Sequence, residues 1–291
     1  MALKDWARRN GLDYRTAYQF IKLVADLGIL DGIRLILREF GISTYQSVAY
    51  PTLNREFRVQ FDPVWRWIGR GIRERGVLRF AQDRLKKGDV VFDVGAHVGE
   101  YALLFSELVG PSGKVVSFDP DPVACKILRK NLELNKITNV VIEQQCVSNK
   151  TGKTSLMAER LGSGLSSTTL DQLALDAHYK TLEVEATTID DYCSAHDIFT
   201  GWVKVDNEGA EPLTIKGMTR LIETHHPSTI IEFHQYNLTA EQREKSWFAI
   251  TSRATKVQVL ESDFPKNYEY LEEIPRWATP KYGFLIVYLQ Y

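Results

Sequence analysis

The chain has 291 residues, 44% hydrophobic and 25% charged, with 36 basic against 37 acidic side chains and a formal net charge of −1. That apolar content is enough for a sizeable core, and the near-balanced charge excludes a general basic field of the kind that draws a protein to nucleic acid or an anionic membrane. No apolar run is long enough to span a bilayer and the N-terminus, MALKDWARRN, lacks the apolar region of a signal peptide, so a cytoplasmic protein is expected.

In chain order, residues 13–40 carry helical periodicity. Tyr14, Tyr18, Ile21, Val24 and Ala25 share one face, and Ile29, Ile33, Ile36, Leu37 and Phe40 form a second run bounded by Gly28 and Gly41. The stretch LKDWARRNGLDYRTAYQFIKLV superficially suits a helix-turn-helix, which gives the rival reading of a DNA-binding regulator. Asp5 and Asp13 dilute its charge, so a helical arm is the preferred reading. Residues 48–61 read as short strands around a turn, followed by the Trp65–Trp67 segment and a helix at about 77–87. From Val90 the alternation becomes regular: strand 90–93, helix 100–109, strand 114–119, helix 123–135 and strand 139–145. A polar stretch, 148–180, interrupts it. Then come strand 182–187, helix 188–196, strand 202–206, helix 211–223, strand 228–234, helix 239–253, strand 256–261 and a last strand over 283–291. Such alternation predicts an α/β fold with a mostly parallel sheet covered on both faces, the division falling between a 1–80 arm and an 81–291 domain. Cys125, Cys146 and Cys193 are odd in number and widely spaced, which reads as reduced structural thiols.

VVFDVGAHVGEY (90–101) narrows the chemistry. A buried strand ends in Asp93, and Gly95 and Gly99 frame a turn into a helix, the device by which doubly wound sheets present backbone N–H groups to a nucleotide-like ligand. His97 stands where a dinucleotide fingerprint needs its second glycine, and Asp93 is a poor neighbour for phosphate and a good one for a cation. S-adenosylmethionine, which carries an adenosine and an ammonium but no phosphate, fits better than a nicotinamide dinucleotide. Asp119 ends the next strand, KVVSFDPDP, where an acid accepts hydrogen bonds from ribose hydroxyls; its alternative role is a helix N-cap. Pro120 and Pro122 break that strand and open the following helix, and Asp121 reads as a surface turn residue.

DVGAHVG (93–99), FDP (118–120) and above all KVDNEGAE (204–211), supported by TTIDDY (187–192) and IIEFH (230–234), resemble the FkbM family of S-adenosylmethionine-dependent methyltransferases. The resemblance covers about residues 80–235. It implies a Rossmann-like class I methyltransferase fold, a seven-stranded sheet with an antiparallel last strand, and methyl transfer to a hydroxyl of a small molecule or saccharide. His97 and Asn207 depart from the usual pattern without removing a charge. A homo-oligomer is compatible with this reading.

Transfer to an alcohol needs in-line alignment and a group that takes the proton. WVKVDNEGAE sets Asp206 at a strand tip, Glu208 in the turn and Glu211 at the next helix start. Lys204 lies inside a buried strand, where it needs an acidic partner. Asp206 and Glu208 are read as active-site groups, and Lys204 and Glu211 equally as a structural ion network. His234, at the end of TIIEFH, is a candidate proton acceptor, whereas His225 and His226 read as a surface turn. Asp206, Glu232 and His234 are a lesser reading as ligands of a divalent metal, with Glu232 alternatively paired to Lys204. Gln144, Gln145, Cys146 and Val147 are placed near the adenine by position alone. The loop LGSGLSST (161–168) is a candidate lid, and the aromatics of 65–67 and 268–282 are candidate acceptor contacts.

Overall fold

The computed structural model describes residues 33–34, 37, 42–50, 53, 55–60, 75–158, 166–167, 180–234, 238–262 and 284–291. The chain divides into two units, residues 1–73 and 74–291. In the first, β1 (Tyr45–Ala49) and β2 (Glu56–Gln60) form an antiparallel hairpin, and Tyr50 meets Phe57 edge to face at 5.3 Å. The helical runs of 13–40 and the helix-turn-helix alternative fall almost wholly outside the described residues, as do Trp65–Trp67 and residues 268–282.

The second unit begins with α1 (Arg75–Arg84), so the division lies before residue 80 rather than after it. The reason is the apolar face of α1: Val77, Leu78 and Phe80 are buried, and the Phe80 ring packs at a tilt of 52° against Tyr288 of the last strand, centroids 4.6 Å apart. There follow β3 (Val90–Val94), α2 (Glu100–Val109), β4 (Lys114–Phe118), α3 (Pro122–Leu134) and β5 (Val140–Glu143). Next come β6 (Cys146–Val147), β7 (Gly152–Ala158), β8 (Ser166–Ser167) and β9 (Lys180–Thr187). The chain continues through α4 (Ile189–His196), β10 (Trp202–Val205), α5 (Glu211–Lys216), α6 (Thr219–His225), β11 (Ser228–His234), α7 (Ala240–Thr251), β12 (Lys256–Ser262) and β13 (Phe284–Gln290).

The main sheet runs β12-β13-β11-β10-β3-β4-β5, parallel throughout except for β13, which is antiparallel to both neighbours. Its central strands are buried on both faces, which is why they read as continuous apolar runs. Phe92, Val94, Phe118, Val205 and Phe233 pack on one side against Tyr192, Ile215 and Trp247 of α4, α5 and α7 and against Met218 between α5 and α6.

Two features differ from the sequence reading. The third strand ends at Glu143, and the chain leaves the main sheet there. The polar interruption holds a second sheet, β6-β9-β7-β8, in which Leu182, Val184 and Ala186 face in while Thr181, Glu183 and Glu185 face out. It covers a small cluster of Cys146, Leu156, Val184 and Ala186. Ser166–Ser167 of the candidate lid pair with Met157–Ala158, and the rest of that loop lies outside the described residues. The single helix expected over 211–223 is split into α5 and α6 at Gly217, where a Cβ would stand 2.0 Å from the Ser148 carbonyl oxygen. All three cysteines are free and buried, and among the described residues no helix is long and apolar enough to cross a membrane.

Candidate active site

The strand order reverses between β3 and β10, the place where an open parallel sheet offers a ligand crevice beyond its carboxyl ends. Asp93 and Lys204 are register partners across that seam. Gly95 follows with φ 77°, and a Cβ there would stand 1.6 Å from the backbone oxygen of Asp206, so only glycine lets the two strand tips meet. The Asp206 N–H donates to the Val94 carbonyl at 3.0 Å and closes the seam.

Asp93 is fully buried, and neither carboxylate oxygen has a hydrogen-bond partner among the described residues. Its nearest cation, the Lys204 ammonium, is 3.9 Å away. Burial pushes the carboxyl up to about 6; the Lys204 charge opposes that rise, and Asp206 and Asp119 add to it.

Four of the turn amides that the sequence suggested would face a ligand are spent within the protein. Gly95 and Ala96 N–H both donate to the Phe118 carbonyl, at 2.9 and 3.0 Å, and Gly99 N–H donates to Ala96 at 2.8 Å. His97, left-handed at φ 46°, aims its N–H at Asp119 Oδ2, 2.8 Å away. Asp119 Oδ1 accepts from the Asp121 N–H at 2.8 Å, so each oxygen of this buried carboxylate retains accepting capacity for a further donor. Burial raises the Asp119 pKa, against the His97 charge and the two amides.

The capping role belongs to Asp121, which is buried rather than a surface turn residue. Its side chain accepts from Val123 and Ala124 N–H at the start of α3. Pro120 lies half-buried between the two acids. Of the adenine-side candidates, Gln145 is half-buried and its N–H donates to the Glu143 carbonyl. Cys146 packs into the second sheet's cluster, its thiol pushed up to about 11 by burial. Glu143 was missed. It ends β5 as Asp93 and Asp119 end or follow β3 and β4, and it accepts from the Tyr192 hydroxyl at 3.0 Å. The signal, an acid at the third strand tip, was hidden by reading the strand through to residue 145.

Across the seam the charges are paired by side chains. The buried Lys204 ammonium donates to Asp206 Oδ2 at 3.0 Å and to the Gly95 carbonyl at 3.5 Å, and sits 4.8 Å from the Tyr101 ring centroid. Burial alone would lower its pKa, but Asp206 and Asp93 more than reverse this and keep it charged. Burial of Asp206 acts the other way; Lys204 and His234 outweigh it and hold the carboxyl below its ordinary value.

His234, buried at the end of β11, shares a hydrogen bond between Nδ1 and Glu211 Oε1 at 2.9 Å. Nε2 lies 3.5 Å from Glu232, 3.6 Å from Glu208 and 3.9 Å from Asp206. Burial disfavours the imidazolium, yet Glu208, Glu211 and Glu232 hold its pKa well above the ordinary value. Glu208, left-handed at φ 54°, is pushed up to about 7 by burial; His234 opposes this, while Asp206 and Glu211 add to it. In this arrangement Glu208 is the group poised to take a proton near neutral pH. Glu211 is fully buried and holds His234 and the Gly209 N–H together, so the sequence's ion network is centred on the histidine rather than on Lys204. Donor atoms of Asp206, Glu232 and His234 lie within 4.8 Å of one another, close enough to share a metal ion.

The sheet order, its antiparallel β13 and a site at the β3–β10 seam define the class I methyltransferase architecture. Residues 93–286 match the model of the methyltransferase FkbM domain, and the chain belongs to that family of S-adenosylmethionine-dependent methyltransferases. It is 41% identical over 68 residues to the 31-O-demethyl-FK506 methyltransferase FkbM of Streptomyces tacrolimicus, covering 23% of this chain and 25% of that protein. It is 30% identical over 115 residues to the ribosomal protein L11 methyltransferase of Caldanaerobacter subterraneus, covering 38% and 36%. The matches thus span between a quarter and about a third of these relatives. Among solved structures, the FkbM methyltransferase of Methylobacillus flagellatus aligns with 17% identity and a TM-score of 0.45, covering 71% of this chain and 44% of that one.

Proposed function

We propose that the chain transfers the methyl group of S-adenosylmethionine to a hydroxyl of a small molecule or saccharide. One observation carries the cofactor reading: a fully buried Asp93 without hydrogen bonds, beside a turn in which the Gly95, Ala96, His97 and Gly99 amides are already occupied. That combination suits an ammonium better than a diphosphate. When bound, the cofactor supplies a methyl group activated by its sulfonium.

The chain's residues do the rest. Asp93 and the Gly95 turn take the amino-acid end. Asp119, its orientation fixed by two amides, accepts from the ribose hydroxyls, with Pro120 and Gly99 shaping the turn around it. Gln145 and the β5 tip lie on the adenine side, and Cys146 acts there only through packing. Asp206, held by Lys204, and the His234–Glu208 pair stand at the acceptor end. Glu208 takes the hydroxyl proton, and His234, 3.6 Å from its carboxylate, helps to hold it in place. Holding acceptor and methyl in line lowers the barrier, on the order of 7–11 kcal/mol in favourable cases.

The test is transfer of labelled methyl over a panel of sugars, glycolipid headgroups and polyketides. Label should appear on an oxygen of one acceptor class and vanish in Glu208→Gln. Label on nitrogen or carbon, or on ribosomal protein or RNA alone, would overturn the acceptor assignment.

A further inference from the structure

The acceptor end holds more negative charge than methyl transfer alone explains. Asp206, Glu208, Glu211 and Glu232 converge on His234, and Lys204 is drawn off toward Asp206 and Asp93. Asp93 goes without hydrogen bonds nearby, and one oxygen of Glu211, Oε2, is fully buried with no partner among the described residues, on the same carboxylate whose other oxygen grips His234. Buried anionic oxygens in excess of local cations are costly unless a positive charge arrives from outside.

The geometry points to a divalent cation bound by Asp206, Glu232 and His234 Nε2, with Glu211 as the residue that orients the imidazole. Three details fit. Nε2 lies 3.5 Å from Glu232 and 3.9 Å from Asp206, and all three donor atoms fall within 4.8 Å. A cation about 2.0–2.3 Å from each ligand needs separations of roughly 3–4.6 Å, so small side-chain movements complete the set. The ring is already turned for the task. Its Nδ1 is held at 2.9 Å by Glu211, which leaves Nε2 toward the carboxylates, the carboxylate–histidine–metal pattern of many metal centres.

One imidazole with two carboxylates favours a transition cation such as Mn2+ or Zn2+ over Mg2+ or Ca2+, which prefer oxygen alone. Three protein ligands leave positions open for oxygens of the acceptor. There the cation would polarise a hydroxyl and help Glu208 to remove its proton. That role rests on the methyl-transfer reading; the binding site does not.

The experiment is titration of Mn2+ into the chelator-treated full chain, with no S-adenosylmethionine or acceptor present, following loss of the free-ion paramagnetic resonance signal. One ion per chain is expected, with binding at least tenfold weaker in Glu232→Gln and His234→Ala and about 10–100-fold weaker in Glu211→Gln. Circular dichroism and S-adenosylmethionine binding report whether each variant folds; Glu232 is not fully buried, which makes Glu232→Gln the variant to rely on if the other two do not. No bound ion at millimolar Mn2+ or Zn2+, or equal affinity in a folded Glu232→Gln, would overturn the site while leaving the methyl-transfer reading standing. A bound ion with no methyl accepted by any hydroxyl would do the reverse.

Discussion

The two sides of the β3–β10 seam solve the problem of buried charge differently. On the β3–β4 side, Asp119 is tied by backbone amides of His97 and Asp121, groups that cannot move without unwinding the turn or α3. On the β10–β11 side, Asp206, Glu208, Glu211 and Glu232 are set against Lys204 and His234, side chains that can exchange protons and partners. Backbone ties suit a pocket that holds one ligand in one pose. Side-chain ion networks suit chemistry, because their charge changes with protonation and with what binds.

Breaking the side-chain network should cost most. Lys204→Met leaves the fully buried Asp93 and the half-buried Asp206 without their cation, and stability should fall by about 3–5 kcal/mol, read from the denaturant midpoint. Gly95→Ala comes next: the added methyl meets the Asp206 backbone at φ 77°, so a loss of about 3 kcal/mol or more is expected, with no rescue by any side-chain movement. On the amide-tied side, Asp119→Ala should weaken S-adenosylmethionine binding about 100-fold by calorimetry while the protein stays folded. That corresponds to about 3 kcal/mol for two hydrogen bonds to a charged acceptor. Unchanged affinity would remove the ribose assignment. Asp121→Ala, a cap beside the site, should cost only about 1 kcal/mol of stability and leave cofactor binding within a few-fold.

Asp93 adds a pH dependence with two opposite signs. Its folded pKa, about 6, is raised above the ordinary value of 3.8, so the folded state binds the proton more tightly than the unfolded chain. Stability should therefore fall as pH rises from about 4 through 6, by about 3 kcal/mol at most, and level off above. Cofactor affinity should move the other way and tighten over the same range, because only the carboxylate attracts the ammonium. Asp93→Asn should flatten both curves; a wild-type affinity that is flat across pH 5–7 would contradict the ammonium contact.

Much of this was legible in the sequence because parallel strands buried on both faces are nearly pure apolar runs. A charge at such a strand's end, Asp93, Asp119 or Asp206, then stands out. Lys204 was legible for the same reason. What escaped depended on where the chain turns. Asp119 and Asp121 both precede the helix closely, and the hydrogen bonds show that Asp121 caps it. In the second sheet β9 was legible as strand 182–187, whereas β7 and β8 lay in a polar stretch with few apolar side chains, so their period-2 pattern was weak. Glu211 could be placed at a helix start, but its grip on His234 spans 23 residues and no local pattern reports it.

The most direct test is a pair of calorimetric titrations of the full chain, with S-adenosylmethionine and with a nicotinamide dinucleotide. A seam with an orphaned Asp93 and occupied turn amides predicts one site for the sulfonium compound, weakened below pH 6, and no heat from the dinucleotide. Saturable binding of the dinucleotide, with none of S-adenosylmethionine, would contradict it.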